Sequence, residues 1–136
     1  MKMPEGPIRP ELFAPCGMNC MVCYKHCFHK RPCGGCRSGG VGKPEHCRKC
    51  AIRDCLRERE QSHCFECPEF PCKRIQNLDV RYRRRYQTSL VENSRYVQQH
   101  GLTAFMARQK RACTCPRCGG VISPHDRMCS ECRSEP

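Results

Sequence analysis

Seventeen of the 136 residues are cysteine, and twelve of these fall in six C-x2-C pairs: Cys20/Cys23, Cys33/Cys36, Cys47/Cys50, Cys64/Cys67, Cys115/Cys118 and Cys129/Cys132. Two thiolates at that spacing reach one metal ion from a single tight turn, and the spacing suits a shared ion better than a structural disulfide. The odd count also leaves a thiol over in any disulfide scheme. The opening stretch MKMPEGPIRPELFAP contains no apolar run. No secretory leader or membrane span is therefore expected, and a cytoplasmic setting that keeps thiols reduced is. The cysteines read as metal ligands.

The need for such ligands follows from the rest of the composition. Leu, Ile, Val and Phe together number only 20, and Trp is absent. So little apolar surface builds a weak core, and small chains of this kind are commonly stabilised by metal. The expected fold class is a small metal-stabilised Cys-rich protein. It comprises an irregular α+β metal domain over 13–72, central amphipathic helices in a basic segment over 73–111, and a C-terminal zinc ribbon over 112–136.

The formal charge of +12 overstates how basic such a molecule is, because a ligating cysteine is a thiolate. Sixteen thiolates on four divalent ions remove eight charges and leave about +4. The distribution is more informative. Residues 73–111 carry 10 Lys/Arg against 2 Asp/Glu and contain no cysteine, whereas residues 1–72 carry 12 against 8.

In that basic segment Ile75, Leu78, Tyr82, Tyr86, Leu90 and Val97 recur mostly at three- and four-residue steps, with Asn93 in the longer gap. The pattern predicts one long helix with an apolar stripe. Gly101 suits its C-terminal end, and Thr103 suits the cap of a second, short helix carrying Phe105 and Met106. AIRDCLRERE (51–60) predicts another short helix, with Ile52, Cys55, Leu56 and Arg59 on one side. RSGGVGKPEH (37–46) reads as a loop.

CTCPRCGGVISPHDRMCSEC is the most specific local signal. Cys115, Cys118, Cys129 and Cys132 form two knuckles separated by ten residues, which suits a tetrahedral four-thiolate zinc site on a short β-hairpin. Cys113 is a spare thiol, and His125 is expected on a surface loop.

The other twelve cysteines, Cys16, Cys20, Cys23, Cys27, Cys33, Cys36, Cys47, Cys50, Cys55, Cys64, Cys67 and Cys72, make three sets of four. One partition takes Cys47, Cys50, Cys64 and Cys67, then Cys20, Cys23, Cys33 and Cys36, and leaves Cys16, Cys27, Cys55 and Cys72 to meet in space; interleaved sets are equally open. Zinc is expected throughout, at about four sites. The alternative is a [4Fe–4S] cluster in the first segment on Cys16, Cys20 and Cys23. Their C-x3-C-x2-C spacing is the one with which radical S-adenosylmethionine enzymes hold such a cluster. Those enzymes need a partial (β/α) barrel, and six units of roughly 30 residues exceed this chain.

The order APCGMNCMVCY … CGGCR … CRKCAIRDC … HCFECPEFPC closely resembles the Cys-rich family known as domain of unknown function 3795. VRYRRRYQTSLVENSRYVQQHGLTAFMARQKR with its ribbon tail looks like the longer members. The resemblance implies metal-binding cysteines at Cys16, Cys20, Cys23, Cys33, Cys36, Cys47, Cys50, Cys55, Cys64, Cys67 and Cys72. Cys27 is additional, and Cys113 stands where an aromatic residue is expected. The family has no assigned activity. Its chief occurrence in anaerobic bacteria and archaea favours iron–sulfur chemistry somewhat.

No Ser/His/Asp set, phosphate-binding glycine loop or H-E-x-x-H appears, so an enzyme is not the expectation. The expected role is a metal-binding scaffold or interaction protein with a protein partner. The alternative is a nucleic-acid-binding zinc protein using Arg81, Arg84, Arg85 and Arg95 on phosphates. Tyr82 and Tyr86 lie on the apolar stripe and read as packing residues.

Overall fold

The computed structural model describes residues 1–40 and 42–136; Val41, inside the expected 37–46 loop, lies outside the described residues. The first half is a chain of single turns and short helices: α1 (Tyr24–Cys27), α2 (Glu45–Arg48) and α3 (Ala51–Glu58), with 3₁₀ turns at Pro10–Leu12, Cys20–Val22 and Cys64–Glu66. α2 takes the last two residues of the expected loop, Glu45 and His46. Three longer helices follow, α4 (Lys73–Tyr86), α5 (Leu90–His100) and α6 (Leu102–Cys113), and then a two-stranded hairpin of β1 (Ile122–Ser123) and β2 (Met128–Cys129). α5 packs against both α4 and α6, so it is the central element.

The single helix expected through Ile75 and Val97 is two helices. α4 stops where Gln87 adopts a left-handed backbone (φ 52°) and gives its N–H to Arg83 O. α5 restarts at Ser89, whose Oγ accepts from Glu92 N at 3.0 Å. The signal is the S-x-x-E of Ser89-Leu-Val-Glu92, which favours a fresh helix start. Asp79 of α4 reinforces the break by accepting from Ser89 Oγ and Val91 N. Arg95 consequently stands on a different helix from Arg81, Arg84 and Arg85. Thr103, expected as a cap, lies inside α6. Gly101 (φ 87°) is the junction, giving its N–H to Val97 O at 2.8 Å to close α5 while preceding the first residue of α6.

The few apolar side chains gather into one core drawn from the whole chain. Met3, Ile8, Leu12, Phe13, Met18, Met21 and Val22 meet Leu90, Val97, Phe105, Met106 and Val121. Phe13 and Phe105 meet edge to face at 5.2 Å, a favoured aromatic geometry. A smaller cluster of Leu56, Cys64, Ile75 and Val91 joins α3, α4 and α5.

The ribbon is tied to this body at two places. Residues 1–3 run beside it, with Met3 N bonded to Gly119 O and Val121 N to Met1 O. On another side the His125 ring packs among Tyr24, Tyr82 and Tyr86 at 5.2, 5.8 and 4.3 Å. His125 is therefore a half-buried packing residue and not the surface-loop histidine expected; burial lowers its pKa.

Candidate metal centres

In the ribbon, each knuckle is a tight turn shaped by backbone hydrogen bonds. Cys115 N bonds to Gly120 O and Gly119 N to Cys115 O, both at 2.8 Å, with Gly119 in the left-handed region at φ 73°. Gly120 N donates to Cys118 Sγ at 3.4 Å. A Cβ at Gly120 would stand 2.6 Å from Cys129 Sγ, so only glycine lets the two knuckles close. The second knuckle repeats the turn, with Arg133 (φ 58°) giving its N–H to Cys129 O. β1 and β2 pair antiparallel with Ile122 opposite Cys129, which holds the two knuckles face to face.

The result is four sulfurs, Cys115, Cys118, Cys129 and Cys132, all within 4.8 Å of one another. Cys118 and Cys129 are 3.5 Å apart and Cys115 and Cys132 are 3.8 Å apart. Four thiolates about 2.3 Å from one tetrahedral ion stand about 3.8 Å from each other, so the four cysteines fit a single ion. The local field favours thiolate at two of them. The Ser134 hydroxyl and backbone N–H lower Cys132 to about 6, and the Arg117 N–H leads the lowering of Cys115. Ser134 Oγ lies 3.0 Å from Cys132 Sγ, a neighbour that sequence spacing alone did not suggest.

Among the described residues no other three ligand groups crowd together this tightly. The remaining cysteines nonetheless fall into neighbourhoods. Cys36 is the hub of the first. Cys20 Sγ donates to Cys36 Sγ at 3.9 Å; that bond, with Lys43, Arg53 and Arg37 nearby, lowers Cys36 to about 7, and Cys20 holds the proton. Burial, helped by the other thiols, raises Cys23 and Cys47 to about 11 and Cys16 further still. Cys33 and Cys36 act on Cys23; these two, Cys23 and Cys50 act on Cys47; and Cys36, Cys64 and Cys50 act on Cys16, which links this neighbourhood to the next. Lys43 is buried and donates to Cys36 O at 3.0 Å and Ser38 O at 2.6 Å, bracing the CGGC turn.

Cys64 is the centre of the second neighbourhood. Burial raises it to about 12, with repulsion from Cys72, Cys55, Cys50 and Cys67 contributing. Cys64 thus has Cys55, Cys67 and Cys72 as neighbours, and Cys50, which also acts on Cys47 and Cys16, belongs to both neighbourhoods. Arg59 Nη1 donates to Cys67 Sγ at 3.2 Å. Arg59 caps the C-terminal end of α3 four positions beyond Cys55, and that i, i+4 relation was visible in the sequence.

Two further thiols remain. Cys27 is buried in the apolar core with its sulfur 3.9 Å from Val22 O, and burial, helped by neighbouring Cys23, raises it to about 12. Cys113 ends α6, and burial raises it to about 11. Arg81, Arg84, Arg85 and Arg95 are exposed, and among the described residues none reaches an acidic group; Arg83 is held by Asp79 at 2.9 Å. No helix of the described residues is long and apolar enough to cross a membrane.

Residues 12–77 match the model of a family described as protein of unknown function (DUF3795). The match takes in all twelve cysteines of the first segment and ends within α4; α5, α6 and the ribbon lie outside it. No curated protein and no solved structure matches the chain.

Proposed function

We propose that this chain is a metal-binding scaffold or interaction protein whose ribbon holds one zinc ion on Cys115, Cys118, Cys129 and Cys132. The observation that carries the reading is the four-sulfur group, with sulfur separations of 3.5 and 3.8 Å across two facing knuckles. All four positions of the tetrahedron are cysteine, which is the pattern of a structural site; a catalytic zinc keeps one position open. An ion closing that group contributes folding free energy on the order of 10 kcal/mol, to a ribbon whose hydrogen-bonded sheet has only two residues per strand.

Elemental analysis of anaerobically prepared protein tests this. One zinc per chain is expected to disappear in Cys118→Ala/Cys132→Ala. Wild-type protein that purifies folded, with no zinc bound at the ribbon, would overturn the reading.

A second reading is favoured by one observation: Arg81, Arg84 and Arg85 form an exposed run on α4 that no acidic side chain of the described residues neutralises. Such a run fits phosphates of a nucleic acid. Retention on RNA or DNA at low salt that weakens in Arg81→Ala/Arg84→Ala/Arg85→Ala would support it; no retention at low salt would end it.

A further inference from the structure

We propose that Cys55, Cys64, Cys67 and Cys72 form a second centre, built for a cubane iron–sulfur cluster and not for a single ion. This rests on the reading of the chain as a metal-binding protein and assigns to one site four cysteines whose partners the spacing left open.

The four residues come from three elements. Cys55 lies in α3, Cys64 opens the Cys64–Glu66 turn and Cys67 follows it, and Cys72 is the residue before α4. They line a common cavity of about 350 Å³ together with Ile52, Leu56, Phe70 and Ile75. That space is far larger than a lone ion needs. The sulfurs are also not drawn into a tight group like the ribbon's. Thiolates on a cube stand about 6 Å apart, since each is bound to its own iron; those on one zinc stand about 3.8 Å apart.

The surroundings fit the same conclusion. Leu56, Cys64, Ile75 and Val91 are a buried apolar cluster, with Ile52, Phe70 and Cys72 packed on it. A low-polarity wall shields a cluster from water and oxidation. Arg59, Lys73 and Arg74 line the cavity beside one carboxylate, Glu69, which pairs with Arg59 at 2.8 Å, so the cations outnumber the acid three to one. A doubly positive cube with four thiolates carries two net negative charges, and Arg59 already donates to the Cys67 sulfur at 3.2 Å. Hydrogen bonds to cluster sulfurs are a standard means of tuning such a centre.

The test is anaerobic reconstitution of the full chain with equal ferrous and ferric iron, sulfide and zinc, followed by iron, acid-labile sulfide and zinc analysis. Wild type is compared with Cys67→Ala/Cys72→Ala and with Cys118→Ala/Cys132→Ala. The expected result is that the first variant holds four irons and four sulfides fewer than wild type while keeping the ribbon zinc. The second variant loses zinc and keeps its iron. Unchanged iron and sulfide in the first variant, or a wild type that holds zinc but no iron, overturns the cluster and leaves the ribbon reading standing. A wild type that binds neither metal overturns both. Should the first variant fail to fold, the single substitutions Cys67→Ser and Cys72→Ser replace it: loss of four irons and four sulfides from either supports the cube at this site, whereas unchanged iron and sulfide in both, or a colourless zinc wild type, overturns it.

Discussion

The Asp79 carboxylate accepts a hydrogen bond from Ser89 Oγ at 3.0 Å, joining the body of α4 to the first residue before α5. The same oxygen accepts from Val91 N at 3.1 Å, and its partner oxygen meets Arg83 Nε at 2.9 Å. Asp79 is buried, so an Ala there leaves the Val91 N–H without its acceptor. Asp79→Ala is expected to lower stability by about 2–3 kcal/mol, and Asp79→Asn by less, because an acceptor oxygen remains. Urea unfolding of the metal-loaded protein measures both; an unchanged midpoint for Asp79→Ala would show that the cap contributes nothing.

Gly17 sits between Cys16 and the Cys20 turn with φ 106°, and a Cβ there would meet Leu90 O at 2.4 Å and Ser94 Oγ at 2.7 Å. Asn93 Nδ2 also donates to Gly17 O at 3.0 Å. The turn presses directly on the start of α5. Gly17→Ala combines an unfavourable backbone region with a clash against main chain, and is expected to cost more than about 2 kcal/mol. A thermal midpoint within a degree or so of wild type would contradict this packing.

Cys113 supplies a pH prediction. Burial raises its folded pKa to about 11 from an ordinary value near 9. A raised pKa means the folded state holds its proton longer than the unfolded chain does. The associated stability is fully present below about pH 9 and is lost as pH rises from 9 toward 11. The loss is of order 1–2 kcal/mol, allowing for partial exposure. Unfolding midpoints of the metal-loaded protein should fall over that window in wild type and fall less in Cys113→Ala. Equal declines would place the titration elsewhere.

Local chemistry was legible from the residues alone. The ribbon knuckles, α3 with Cys55 and Arg59 on one side, and the Gly101 stop each depend on neighbours within a few positions. The α4–α5 break was also written locally, in Ser89 and Glu92, but the longer apolar stripe from Ile75 to Val97 overrode it. Asp79, ten residues away from Ser89, decides the matter by a contact that no periodicity reveals. The meeting of Cys20 with Cys36 was within one of the sets the spacing offered, whereas the gathering of Cys64 with Cys55 and Cys72 was hidden, because it depends on how separate turns pack. The core was underestimated for the same reason: Met3, Phe13, Phe105 and Val121 are isolated in sequence and adjacent in space.

Amide hydrogen exchange across Cys115–Cys132, followed with zinc bound and after chelation under reducing conditions, tests the central claim most directly. Zinc closing the four sulfurs predicts protected amides at Cys115, Gly119, Val121 and Cys129 in the loaded protein, since each donates to a backbone carbonyl there. Chelation should abolish that protection, and restored zinc should return it. The same protection with and without the ion would contradict the account, because the ribbon would then hold itself closed without metal.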